Sequence, residues 1–104
     1  MLFVITLTNR AEPDAVHAQL DAHRAWLATH TLSGRFIAAG PLASGTGGLI
    51  VAHGDDRAEL DAVLSADPFV ALDLVDVTVA ACAPALRHGD FPARWAPSAK
   101  ALAR

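Results

Sequence analysis

Residues 35–53 read Arg-Phe-Ile-Ala-Ala-Gly-Pro-Leu-Ala-Ser-Gly-Thr-Gly-Gly-Leu-Ile-Val-Ala-His. Two apolar runs, 35–40 and 49–53, flank a segment of small residues and glycines. Phe36 and Ile37 form the centre of the first run, and β-branched Ile50 and Val51 the middle of the second. Strand-like runs joined by a glycine-rich turn predict a β-hairpin. Gly40-Pro41 is expected to break the ladder where the first strand ends. A hairpin in the middle of the chain decides the fold, because a strand and a helix stand on each side of it.

Upstream, residues 1–8 alternate Phe3, Ile5 and Leu7 with Leu2 and Val4. Both sets are apolar, which predicts a central strand covered on two faces. Residues 13–32 read as one amphipathic helix, with proline at the first helical position and Gly34 just past the end. Downstream, Asp56 followed by Glu59 is a capping-box variant, and Leu60, Val63 and Leu64 give the second helix its buried face. Pro68 stops that helix. A last strand runs from about 72 to 82, with Val75, Val77 and Val79 on one face. The order β-α-β-β-α-β predicts an α+β, ferredoxin-like fold of the dimeric α/β barrel type. Its antiparallel sheet carries two helices on one face.

Composition narrows the function classes. One domain fits 104 residues, with the fold at 1–84 and an irregular extension at 85–104, punctuated by Pro84, Pro92 and Pro97 and with a short helix over 97–102. The 53% hydrophobic content is high for a small monomer and predicts a homodimer that covers the bare sheet face or the sheet edges. A net charge of −3 argues against nucleic acid. No apolar run approaches the roughly 20 residues that span a bilayer, and the opening residues do not fit a signal peptide. Cys82, the single cysteine, forms no internal disulfide and reads as a small buried hydrophobe. These features predict a cytoplasmic protein.

One residue interrupts the helix pattern. The apolar stripe Val16, Leu20, position 23, Leu27 carries His23, an ionisable ring aimed at the interior or at a cleft. Its plainer explanation is a hydrogen-bonded core histidine. Asp67 in Asp67-Pro68-Phe69 is equally a carboxylate for acid–base work and a helix N-cap before proline. The glycines at 45–48 lack the lysine and following helix of a phosphate loop. His17, His30, His53 and His88 show no metal-ligand spacing, so no metal site is expected.

Together, Leu2-Phe3-Val4-Ile5, His23 with Trp26-Leu27, Gly34-Arg35, Ala38-Ala39-Gly40-Pro41-Leu42, the hairpin glycines and Asp67-Pro68-Phe69 resemble the YciI-like family, from Met1 to about Pro84. The resemblance implies the ferredoxin-like fold, a dimer, and a His–Asp pair at His23 and Asp67. It also implies chemistry of the kind characterised in one member, dehydrochlorination of a chlorinated hydroxyhydroquinone. Leu72-Asp73-Leu74 departs from the family's usual Ala-Gly-Leu and predicts a more acidic site edge. The expected function is a small cofactor-independent enzyme. His23 acts as base or acid and Asp67 orients it, in an elimination or isomerisation of a small cyclic or aromatic substrate. Gly40, Pro41, Ser44 and Phe69 are the candidate substrate-binding residues. A non-catalytic small-molecule-binding domain of the same fold is the alternative.

Overall fold

The structure, a computed structural model, describes residues 1–103. Strands β1 (Leu2–Asn9), β2 (Phe36–Pro41), β3 (Gly47–His53) and β4 (Val75–Cys82) form an antiparallel sheet in the order β2-β3-β1-β4. Helices α2 (Leu20–Leu32), α3 (Arg57–Ser65) and the short α4 (Pro68–Ala71) connect them. The α+β, ferredoxin-like arrangement expected from the sequence is the one observed.

Alternation in β1 builds the core. Phe3, Ile5 and Leu7 are buried with Ile50 and Ala52 of β3 and Val75 of β4. The helices lay Trp26, Leu60, Leu64 and Phe69 on that same face. Burying a side chain of this size stabilises the fold by about 1.5–3 kcal/mol. Trp26 also donates its ring N–H to the Val63 carbonyl at 3.1 Å, which fastens α2 to α3.

The other set in β1 behaves differently from the expectation. Leu2 is half-buried and Val4 exposed, so within one chain β1 is central but covered on one face only. The helices pack on the face of the buried set, and Val4 on the opposite face is exposed.

Several boundaries move. The helix over 13–32 is two helices, α1 (Pro13–Ala18) and α2, hinged at Gln19 with φ −103° and ψ 5°. Glutamine is a good helix former, so its propensity carries no mark of the break. Gly40-Pro41 does not end the ladder: β2 runs to Pro41, which pairs with Gly48 on an edge strand, where a missing N–H is tolerated. Gly47 faces a crowded backbone, because a Cβ there would lie 1.8 Å from the Leu7 carbonyl oxygen. Asp56 caps α3 by accepting from Ala58 and Glu59 N–H, but the Glu59 side chain pairs with Arg35 instead of reaching back. Cys82 is exposed, since it ends an edge strand on the open side.

The C-terminal segment is more ordered than the sequence reading. Strands β5 (Leu86–His88) and β6 (Lys100–Leu102) pair in parallel around a 3-10 turn at Ala93–Trp95. The helix expected over 97–102 is therefore corrected to a turn at 97–99 followed by strand β6. Backbone bonds from Lys100 to Ala85 and from Gly89 to Leu102 hold the ribbon. It packs at one end of the sheet: Ala96 is buried, Phe91 lies beside Leu2, and the Trp95 ring is 6.3 Å from that of His53.

Candidate functional site

The hinge at Gln19 leaves the apolar stripe intact. Val16, Leu20, His23 and Leu27 all line one cavity of about 290 Å³. Leu7 and Phe69 complete its apolar wall, and the β2–β3 turn closes one side with Pro41, Gly45, Gly47 and Gly48. That volume stands at the small end of ligand sites, which run from roughly 300 to 1,000 Å³.

His23 and Asp67 meet beside this cavity. Nδ1 of His23 lies 2.7 Å from Oδ1 of Asp67. Asp67 is fully buried and His23 nearly so. Asp67 is held by its own helix: it N-caps α4, and the same Oδ1 accepts the Phe69 backbone N–H at 3.1 Å. One oxygen thus serves both the helix cap and the contact with His23. Oδ2 is buried without a partner among the described residues. The Phe69 ring stacks on the imidazole, centroids 3.9 Å apart and planes at 7°. Trp26 packs on the same imidazole at 5.8 Å.

A carboxylate can only accept, so it draws the ring proton to Nδ1 and leaves the Nε2 lone pair free. Nε2 has no hydrogen-bond partner among the described residues, and the ring edge belongs to the cavity wall. This arrangement can take a proton from a molecule in the cavity while the carboxylate compensates the charge formed on the ring.

The other candidates separate. Pro41 and Phe69 line the cavity with His23. Gly40 lies on a neighbouring surface with Ala38 and Val51, and the Ser44 hydroxyl pairs with Thr46 at 2.7 Å, so neither is brought to the cavity. Asp73 does not sharpen the site edge either. It adopts φ +60° and gives its carboxylate, with that of Asp76, to Arg10. His30 turns away and packs edge-on against Trp26, 5.6 Å between centroids. Burial lowers its pKa, and the nearby Arg35 charge adds to the shift. A larger cleft of about 360 Å³ lies between Ser33 and Glu59, but its His53 is bonded to the Gly34 carbonyl and its Arg35 to Glu59.

Sequence reasoning missed two polar groups on the cavity, Asn9 and Arg24. Arg24 had a readable signal: it stands four residues after Leu20 and three before Leu27, inside the width of the stripe.

The family model for the YCII-related domain matches residues 1–81. The chain belongs to the YCII-related domain family. This YCII-related protein is also similar to a solved structure, 5-chloro-2-hydroxyhydroquinone dehydrochlorinase (TftG) from Burkholderia phenoliruptrix AC1100 in complex with 2,5-dihydroxybenzoquinone. The likeness covers 86% of this chain and 96% of that one, at 25% identity and a TM-score of 0.62. No curated protein matches the YCII-related chain. Among its described residues no helix is long and apolar enough to cross a membrane.

Proposed function

We propose that this protein is a small enzyme performing acid–base chemistry on a single cyclic or aromatic ring, by elimination or isomerisation. The observation that carries the reading is the 2.7 Å His23–Asp67 bond at the wall of a ring-sized, mostly apolar cavity. In an elimination, Nε2 of His23 takes a proton from the substrate. The electrons it releases move into the ring, and a halide leaves with its bonding pair, so the net loss is one hydrogen halide. In an isomerisation the same nitrogen returns the proton to another atom. Asp67 keeps the Nδ1 proton in place and stabilises the imidazolium that forms. Likeness to a dehydrochlorinase supports the halide version.

The test is chloride release from 5-chloro-2-hydroxyhydroquinone, followed across pH. Turnover that falls at least 100-fold in His23→Asn, with the fold retained, supports the enzyme. Saturable ring binding without chloride release or proton exchange would replace it with a non-catalytic binding domain.

We also infer a homodimer built on the helix-free sheet face. Val4 and Val51 point there from β1 and β3, opposite the buried set of each strand, and within one chain Val4 is exposed and Val51 half-buried. A specific interface would bury above ~1,000 Å² in total. Sedimentation at micromolar concentration giving a monomer mass would overturn it. A small-molecule substrate and a cytoplasmic setting complete the proposal.

A further inference from the structure

Six arginines fall among the described residues, and five of them are engaged. Arg10 pairs with Asp73 and Asp76, Arg35 with Glu59, and Arg57 with Asp61. Arg87 donates to the Phe91 carbonyl, and Arg94 lies over the Trp95 ring at 4.7 Å. Arg24 alone has no hydrogen bond, ion pair or ring contact among the described residues, although it belongs to the wall of the His23 cavity.

The cavity gives this cation an unusual setting. Its other walls are leucine, valine, proline, glycine and phenylalanine, with Asn9 and His23 as the remaining polar side chains. Arg24 is exposed, so its guanidinium is hydrated at the cavity rim. Among the described residues neither carboxylate nor carbonyl competes for its five donors. Asp67 is already committed to His23 and to Phe69 N–H. An anion entering this cavity therefore meets, at its rim, a positive group that no described residue pairs, beside an apolar floor of Phe69 and Leu7.

The geometry points to Arg24 as the specificity-determining residue of the site, selecting rings that carry an ionised oxygen, whether phenolate, enolate or carboxylate. The inference rests on the proposed ring-binding site and deepens it. A guanidinium binds such an oxygen by charge-assisted hydrogen bonds, bidentate where two oxygens are adjacent. Arg24 and His23 are consecutive on α2. The same turn of helix then supplies the group that fixes the anionic edge and the nitrogen that exchanges a proton with the ring.

The experiment compares two probes by calorimetry: 2,5-dihydroxybenzoquinone, which is ionised at neutral pH, and its neutral 2,5-dimethoxy ether. Arg24→Gln is expected to weaken the ionised ring at least tenfold and to leave the neutral ether within twofold. Arg24→Lys should fall between, and the salt dependence of the ionised probe should flatten in Arg24→Gln. Leu27→Trp, which fills the cavity, should weaken both probes. Equal affinities of wild type and Arg24→Gln for the ionised probe, with Leu27→Trp still blocking it, overturn the role of Arg24 and leave the site standing. No binding of either probe to the wild-type protein overturns the ring-binding site itself.

Discussion

The imidazole of His23 lies flat on the Phe69 ring, 3.9 Å between centroids and 7° between planes. Phe69 also supplies the backbone N–H that holds Asp67 Oδ1. One residue thus fixes the partner of His23 through its backbone and the tilt of His23 through its side chain. Phe69→Leu keeps the backbone bond and removes the stack. The expected stability loss is about 1 kcal/mol, as for other shape-changing hydrophobic swaps in a core. The His23 ring protons should move downfield as the shielding of the stacked ring disappears. A proton spectrum of the two proteins checks this, and unchanged His23 shifts would contradict the stack.

His30 gives the fold an acid-side weakness. Its folded pKa lies below the ordinary 6.5, first through burial and then through Arg35. The unfolded chain therefore binds the proton more readily as pH falls. Its contribution to stability is complete above 6.5, declines as pH falls through that value towards the folded one, and then levels off. His30→Gln should flatten the decline in thermal midpoint between about pH 7 and pH 5. Parallel curves for the two proteins would refute it.

How far the sequence could be read depended on whether a residue's neighbours were local. His23 was legible because an ionisable ring in an apolar stripe breaks a 3.6-residue pattern. Asp67 was ambiguous because an aspartate before proline looks the same whether it caps a helix or binds a histidine, and the structure uses one oxygen for both. The hairpin was legible from glycine spacing, yet the length of β2 was not, because Pro41 is tolerated only by virtue of lying on an edge. The β5–β6 ribbon was invisible: three-residue strands have no period, and their pairing joins Leu86 to Lys100 across a proline-punctuated segment. The exposure of Cys82 and of Val4 likewise depends on which sheet face lacks helices, a tertiary fact.

The turn beside the cavity offers a paired test. At Gly47 an added Cβ would meet the Leu7 carbonyl oxygen at 1.8 Å, with Leu7 itself buried in the core. Backbone must shift to admit it. Gly47→Ala is expected to cost more than about 2 kcal/mol, in the upper range for overpacked sites. At Gly45, φ is +76° but no atom lies within 4 Å, so Gly45→Ala meets only the left-handed penalty of about 1–2 kcal/mol. Urea midpoints rank the two, and a reversed order would place the crowding elsewhere.

Asp67 separates its own two roles through two substitutions. Asp67→Asn keeps an oxygen that can cap α4 and accept from His23, and asparagine caps about as well as aspartate. Oδ2 is already unpartnered among the described residues, so the new amide group leaves the number of unpaired buried groups unchanged. Stability should change by less than about 1 kcal/mol. The negative charge beside the imidazole is gone, however, and turnover on a chlorinated hydroquinone should fall by about 100-fold or more, the scale of a lost acid–base contribution. Asp67→Ala removes the oxygen altogether. It loses the cap, worth about 1 kcal/mol, and leaves the His23 N–H buried without an acceptor, worth about 1–3 kcal/mol more. Denaturation curves and turnover measured on the same two variants decide the matter. If Asp67→Asn matches the wild-type protein in turnover while Asp67→Ala unfolds early, Asp67 is a helix cap alone and the acid–base reading of His23 fails with it.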